Sequence, residues 1–520
     1  MSEAAPRGAG ADGRTGGRWW LIPWYPAAFP VAFILFMWSG TGIEPIWVVR
    51  PMLIAVAFTL LLTFALVVVL RDRDRGALAA TAFVVALALG NVLASAAVAL
   101  IGLLVVVEGL VNRGIAWQLG RTATRALSAL GAALVLVVVL ASVQQGTFGW
   151  AIEDVQARLA REPMAAAYDP AAPDIYVILL DGYPGDDAAE LDPSFDADAF
   201  PDALEDRGFD VQRHSRSNYL LTRLTLATMF GNNHVADEST LVPPHGPPAA
   251  DNRRLRRFSD EGPIMRLLGD DGYERITTPS AALDLGLYGV DRVIPHSGLQ
   301  EFEFGLLKIT TAGSLIDLVA PEFIAAESRA NVIGVIEATK ALAAESHDRP
   351  RFVYSHVMAP HPPFLFNAAG TPTGDSVLSD SFVEPANEGR SAIRVSATFS
   401  YATFASREAV GMVDAILDDE RDDPVIVVMS DHGTETGFSG RDPFGSDVNE
   451  RSSNFLAIRT PGHPKLLPPG TTPINVLPRI LNAYLDAELP YHSDTTWAWD
   501  AGHPVLDAVE VDLTTFQPKR

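Results

Sequence analysis

Four stretches of the chain hold residues whose types could do chemistry together. They are an acid at Asp181, a threonine-rich element at 217–233, the pair His356 and His361, and the run Asp431-His432-Gly433. Aspartate and neutral imidazole together suit Zn²⁺ or Mn²⁺, and suit Ca²⁺ less well. Taken alone, Asp431-His432 reads first as a strand-end acid capping the next helix beside an incidental histidine. Asp181 alone reads as a loop acid. Gly433 allows a sharp turn after the preceding strand. In TRLTLATMF, Leu224, Ala227 and Phe230 recur at helical spacing, which puts Thr222 in the first turn of a helix. A helix N-terminus carries partial positive charge and N–H groups without intrahelical acceptors. It favours an alkoxide and binds the anionic oxygens of a phosphate or sulfate. Thr222 reads equally as an ordinary N-cap, and the two roles are compatible. Thr225 and Thr228 lie further along and read as structural.

These residues need a scaffold that gathers them from some 250 residues of sequence. DIYVILLD (174–181), RFVYSHVMAPH (351–361) and PVIVVMSDHG (424–433) are continuous apolar runs ending in polar groups. A parallel strand covered on both faces reads this way. Helical patterns at 197–207, 329–345 and 402–419 lie between and beside them. The alternation predicts an α/β domain with a mostly parallel central sheet. Ligands of such sheets bind at the carboxyl ends of the strands, so Asp181, the His356/His361 pair and Asp431-His432 are expected on one rim. Pro/Gly-rich stretches at 242–250 and 367–376 read as surface loops.

The N-terminal quarter is of another kind. Residues 1–150 hold 10 Lys+Arg and 6 Asp+Glu, net +4; the remainder holds 29 and 57, net −28. Mean hydropathy is +0.16, high for a protein without membrane segments. The strongly acidic part argues against nucleic acid, whose phosphates need neutralising Lys and Arg. The absence of cysteine removes disulfides, thiolate ligands and Cys nucleophiles. Residues 1–18 read as a disordered basic tail. Apolar runs follow at 19–38, 52–70, 77–111 and 126–143. A spanning helix needs roughly 20 apolar residues. The run 77–111 is too long for one span and is interrupted by Gly90, Asn91 and Ser95, which predicts a helical hairpin and about five spans in 19–143. Three arginine clusters (7/14/18, 71/73/75 and 113/121/125) then all face the cytoplasm, as the positive-inside rule requires. Residues 144–172 become a linker. Residues 173–520 become an extracytoplasmic domain, with the N-terminus cytoplasmic. Glu108, near the end of the fourth run, reads as interfacial or as a buried functional acid.

The elements PDIYVILLDGYP, SNYLLTRLTLATMF, APHPPFLF, VIVVMSDHG and NERSSNFLAI, in that order over residues 173–459, resemble the sulfatase-like branch of the alkaline phosphatase superfamily. The likeness is greatest to its membrane-anchored group, which includes lipoteichoic acid synthases and lipid A phosphoethanolamine transferases. The resemblance implies that Asp181, Thr222, Asp431 and His432 hold one divalent metal ion. Mn²⁺ or Zn²⁺ is favoured over Mg²⁺ or Ca²⁺. It implies Thr222 as nucleophile, His361 as a phosphate contact or aid to the leaving group, and Arg451 as a substrate contact. The departures are informative. Main-class sulfatases carry a Cys or Ser, then Pro or Ala, then Arg; this chain has no Cys and no such Ser near 217–222. That speaks against classical sulfate-ester hydrolysis. Asp181-Gly182 stands where many sulfatases have two acids, which favours a single metal. Phosphoethanolamine transferases often carry cysteines that are absent here.

The expected activity is therefore a metal-dependent transfer of a phospho-alcohol group from a lipid donor to a cell-envelope acceptor through a threonine intermediate. The expected partners are a phospholipid or envelope glycan. A surface hydrolase of phosphate or sulfate esters would use the same residues. An inactive membrane-tethered scaffold is the alternative of a different class.

Overall fold

The computed structural model describes residues 23–39, 41, 43–112, 118–144, 167–237, 248–280, 282, 285–295, 298–375, 391–418, 423–440, 442–499 and 508–519. The basic tail 1–18, linker residues 145–166 and most of the loop 242–250 lie outside these. The chain divides into two compact units. One comprises Met1–Ser39, Pro45–Ile152 and Ile309–Gly313; the other comprises Gly40–Glu44, Glu153–Lys308 and Ser314–Arg520.

The first unit holds helices α1 (Tyr25–Ser39), α2 (Ile46–Leu70), α3 (Arg73–Ala88), α4 (Val92–Val111) and α5 (Gln118–Gln144). The long run 77–111 is divided between α3 and α4. Asn91 makes the break by capping α4, its side chain accepting from Ala94 N–H. Asp72 caps α3 in the same way. Ile46–Leu70, Val92–Val111 and Gly120–Gln144 are long and apolar enough to cross a membrane, while α1 is a shorter apolar helix. Helix α3 is the buried one. Ala77, Ala79, Ala80, Ala82 and Ala86 let its neighbours approach closely. A Cβ on Gly76 would meet Val67 N at 2.6 Å. Leu53, Leu61, Ile101, Leu136 and Val137 point outward from α2, α4 and α5. Glu108 is held by Arg75 through two bonds of 2.8 and 2.9 Å, with Asp72 on the other side of the guanidinium. From much later in the sequence, Thr311 donates to Leu89 O from both its backbone N and its Oγ1 (2.7 and 2.6 Å), and its hydroxyl lies 2.7 Å from Ser95 Oγ.

The second unit is built on a seven-stranded sheet, ordered β2-β7-β6-β1-β5-β3-β4. The strands are β1 (Ile175–Leu180), β2 (Asp210–Val211), β3 (Glu274–Thr278), β4 (Arg292–Val293), β5 (Arg351–Val357), β6 (Val425–Met429) and β7 (Leu456–Arg459). β6, β1, β5, β3 and β4 run parallel; β7 is antiparallel to β6, and β2 to β7. A three-stranded sheet of Trp497–Ala498, Val509–Asp512 and Gln517–Pro518 lies near the C-terminus.

Central β1 explains its own sequence. Ile175, Val177 and Leu179 enter one core with Leu226, Met229, Phe230 and the helix Pro473–Tyr484. Tyr176, Ile178 and Leu180 enter the other, with the helices Pro321–Ala343 and Ala392–Leu417. Both faces are covered, so every position is apolar. The register then sets the site. Leu179 lies level with His356 on β5 and with Met429 on β6. Asp181 and Asp431 each follow two residues later, side by side on one rim. At the other end of these strands the fully buried Arg351 binds Asp174 with Nε and Nη2 (3.1 and 3.0 Å), tying β5 to the start of β1.

Candidate active site

The three strand ends bring Asp181, Asp431 and His432 together with ligand atoms all within 4.8 Å of one another, each residue fully buried. His432 Nδ1–H donates to Gly433 O at 2.9 Å, which leaves the lone pair on Nε2. Nε2 lies 2.9 Å from Asp431 Oδ2 and 4.0 Å from Asp181 Oδ1. The other oxygens are engaged: Asp431 Oδ1 accepts from Gly182 N–H at 3.1 Å, and Asp181 Oδ2 is 3.0 Å from His356 Nε2. Asp181 Oδ1 and Asp431 Oδ2 are buried with no hydrogen-bond partner. Two orphaned carboxylate oxygens close to His432 Nε2 fit a divalent cation, since a buried polar atom left unpaired is otherwise costly; the cation would take the Nε2 lone pair that Arg451 Nη2–H engages at 2.9 Å.

Gly182 has φ +69°, a conformation that favours glycine and aims its N–H at Asp431. Gly433 is required for a different reason from the expected turn: its φ is ordinary, but a Cβ would meet Glu450 O at 2.2 Å and Ser453 O at 2.4 Å. Close packing, rather than turning, requires glycine there.

Thr222 opens the helix Thr222–Gly231 as its first helical residue; the N-cap is Leu221, with extended backbone. The Thr222 hydroxyl is thus not the cap. It lies 3.1 Å from His432 Nε2. The helix is held from behind by Leu224, Leu226, Ala227, Met229 and Phe230, all buried. Thr225 is structural, donating to Tyr219 O, and Thr228 is buried.

Arg451 comes from the short helix Val448–Ser452, capped by Asp447. Its Nε donates to Leu220 O at 2.9 Å, its Nη2 to His432 Nε2 at 2.9 Å and its Nη1 to Glu435 at 3.3 Å. Three of five N–H groups are thereby used within the protein, and Arg451 is buried. Glu435 also binds Arg394, at 2.9 Å. His361 follows β5 in a loop with cis peptides at Ala359-Pro360 and Pro362-Pro363. Its backbone N–H donates to Asp181 O at 3.1 Å and its Nδ1–H to Pro362 O at 2.7 Å. All six expected residues (Asp181, Thr222, His361, Asp431, His432 and Arg451) therefore fall in one neighbourhood.

The electrostatics follow from this packing. Burial works against ionisation of Asp431, but the adjacent His432, the Thr222 hydroxyl and the Gly182 N–H hold its carboxyl well below the usual range. Burial likewise opposes Glu435, and His361, Arg451 and Arg394 outweigh it. Burial lowers His361, yet Asp181 and Glu435 raise it further, for a net upward shift.

Sequence reasoning placed His356 on the rim without a specific role and did not single out Glu435 or Arg394. His356 is fully buried, with Nδ1 3.4 Å from Ser280 Oγ, and it fixes which oxygen of Asp181 faces the cluster. Its position on β5, level with Leu179, gives it that role. Nothing local marks Glu435, because the two arginines it joins stand 57 residues apart in sequence.

No family model matches the sequence, and no curated protein matches it. Similar solved structures are sulfatases and phosphoethanolamine transferases. The C-terminal periplasmic domain of phosphoethanolamine transferase EptC from Campylobacter jejuni is 12% identical over 61% of this chain and 90% of its own, with TM-score 0.38. The integral membrane lipooligosaccharide phosphoethanolamine transferase A from Neisseria meningitidis is 13% identical over 71% and 67%, with TM-score 0.34. A 2-O GAG sulfatase is 13% identical over 62% and 72%, with TM-score 0.38. These likenesses are distant, and nothing about activity rests on them.

Proposed function

We propose that the chain is a membrane-anchored, metal-dependent phosphotransferase of sulfatase-like type. It moves a phospho-alcohol group from a lipid donor to a cell-envelope acceptor by way of a phosphothreonine at Thr222. The observation that carries this reading is a hydroxyl at the first residue of a helix, 3.1 Å from the Nε2 of a buried Asp-Asp-His cluster that has two unpartnered oxygens.

Asp181, Asp431, His432 and Thr222 would hold one Mn²⁺ or Zn²⁺. When bound, the ion supplies positive charge that lowers the pKa of the Thr222 hydroxyl and offsets charge on the phosphoryl oxygens. Thr222 Oγ1, its proton passed to water, attacks phosphorus in line, and the bond from phosphorus to the donor alcohol oxygen breaks. His361, whose pKa Asp181 and Glu435 shift upward, gives its proton to that leaving oxygen. His361 then takes a proton from the acceptor hydroxyl, which attacks the phosphothreonine and releases Thr222. The helix N-terminus favours the anionic group throughout. Arg451 positions His432 and Glu435, and its remaining N–H groups can reach the phosphoryl oxygens.

A lipid donor suits the surroundings. Beside Arg394, in the first turn of the helix Ala392–Leu417, a groove lined by Phe364, Phe366, Ile393 and Ala397 offers apolar surface among the described residues. With five spans and the arginine clusters inside, residues 144–520 would lie outside the cytoplasm, where nucleotide donors are scarce. The test is mass spectrometry of the full-length protein after incubation with lipid extract and Mn²⁺. A phosphoryl adduct on Thr222, discharged by envelope glycan, supports transfer. Discharge by water alone makes the chain a hydrolase. A folded, metal-loaded protein without any adduct defeats the threonine intermediate.

A further inference from the structure

Beyond Tyr168, most large apolar side chains among the described residues are hidden. Eight are exposed among the described residues, and five of these (Ile309, Leu315, Leu318, Val319 and Phe323) fall within one stretch of 15 residues. Single exposed apolar residues are ordinary, but such clustering marks a contact surface. Leu318 and Val319 are 77% and 76% exposed. On the helix Thr311–Val319, Leu315, Leu318 and Val319 stand at i, i+3 and i+4, so they share one face, and Asp317 points elsewhere. Phe323 follows in the first turn of the helix Pro321–Ala343.

Where this helix begins says what covers it. Thr311 is bonded through N and Oγ1 to Leu89 O, and through its hydroxyl to Ser95. A Cβ on Gly90 would meet Ile309 O at 2.5 Å. Ile309–Gly313 therefore belongs to the helical unit. It sits at the turn that starts α4, a helix long and apolar enough to cross a membrane. The end of a spanning helix marks the edge of the hydrocarbon layer. Val319 is eight residues on, only about 12 Å along the helix axis at 1.5 Å per residue.

We infer that the helix Thr311–Val319, with Phe323, lies in the interface of the phospholipid bilayer, its Leu315–Leu318–Val319 face among the acyl chains. This rests on the reading that α4 spans the membrane. The helix has the face of an interfacial helix without the usual basic flank: Lys308 is outnumbered by Asp317 and Glu322. The contact is accordingly apolar, and salt should not weaken it. A tethered helix needs little affinity of its own, because the chain already holds it at high local concentration.

The absence of cysteine makes the test direct. Single substitutions Leu318→Cys, Val319→Cys, Asp317→Cys, Tyr491→Cys and Leu136→Cys are placed in the full-length protein, each labelled with a fluorophore and reconstituted in phosphatidylcholine–phosphatidylglycerol vesicles. Quenching by a lipid-borne nitroxide is compared with quenching by aqueous iodide. Tyr491 is exposed and lies outside both the 309–323 stretch and the groove beside Arg394. Labels at 318 and 319 should be quenched several-fold more by the lipid nitroxide than labels at 317 and 491, at low and high salt alike. Labels at 318 and 319 that behave like the one at 491 overturn the inference. Shielding from both quenchers also overturns it, since a protein partner or second copy then covers the face. The label at 136, on the outer face of α5, separates the two levels: lipid quenching there with none at 318 refutes only the interfacial helix. Its loss at 136 refutes the membrane reading and this inference together.

Discussion

Thr222 and Thr225 stand one helical turn apart and should respond to alanine in opposite ways. Thr222 does not cap its helix, so Thr222→Ala should change stability by no more than about 0.5 kcal/mol. Turnover should fall by on the order of a thousandfold or more, because only positioning and electrostatics remain. Thr222→Ser keeps the hydroxyl and should retain part of the activity. Thr225→Ala removes the buried bond to Tyr219 O, costing about 1 kcal/mol of stability, while the folded fraction still turns over. Thermal melts and a chromogenic phosphodiester with Mn²⁺ read both quantities; an active Thr222→Ala would remove the nucleophile from the proposal. Metal content separates ligand from support in the same way. Asp431→Asn should abolish it. His356→Ala, which frees the second oxygen of Asp181 without removing a ligand, should weaken affinity by about 10–100-fold. Equal metal in wild type and Asp431→Asn, measured by elemental analysis, would dismantle the site.

At the scale of elements, the site depends on how closely β6 and the helix Val448–Ser452 are pressed together. Gly433 is the point of contact, with the carbonyls of Glu450 and Ser453 where a Cβ would stand. Gly433→Ala must push that helix away and with it Arg451, which donates to His432. Overpacking of this kind costs about 1–3 kcal/mol, so melting temperature and turnover should drop together. Gly440→Ala, in the same loop region but with nothing within 4 Å of the added Cβ, should change neither. A fully active and stable Gly433→Ala protein would show that the loop tolerates the displacement. Within the helical unit, Glu108 is the element-level test. It holds the buried Arg75 by two bonds. Glu108→Ala removes two charge-assisted bonds from that guanidinium and should cost about 1.5–3 kcal/mol. The loss would be read as a lower melting temperature in detergent; an unchanged melt would mean the pair is solvated.

At the scale of the whole molecule, the chain joins a basic apolar quarter to a domain of net charge −28. The arginine clusters bias orientation, and the expectation of five spans would put the acidic domain outside. A reporter fused after Trp150 should be active only when it is an extracytoplasmic type. Activity of a cytoplasmic reporter there would reverse the topology. The bonds of Thr311 to the α3–α4 turn are consistent with that arrangement, because they set a segment of the later sequence at the end of α4 that the span count also places outside.

The sequence alone determined what short-range pattern can carry. Continuous apolar runs identified β1, β5 and β6, because a strand covered on both faces has no polar face to show. Gly90-Asn91 divided the long apolar run, because Asn caps a helix locally. Polar groups at the strand ends identified Asp181, Asp431 and His432, because a parallel sheet delivers its carboxyl ends to one rim. Only the tertiary structure decided that β5, β1 and β6 are neighbours in a register that sets Asp181 level with Asp431. It alone decided that Thr222 is released from capping to face His432, and that His356 takes one oxygen of Asp181. Glu435, between Arg394 and Arg451, belongs with these. Their partners lie from 16 to more than 200 residues away, and which side chains meet over such separations is set by packing, which local residue pattern does not encode.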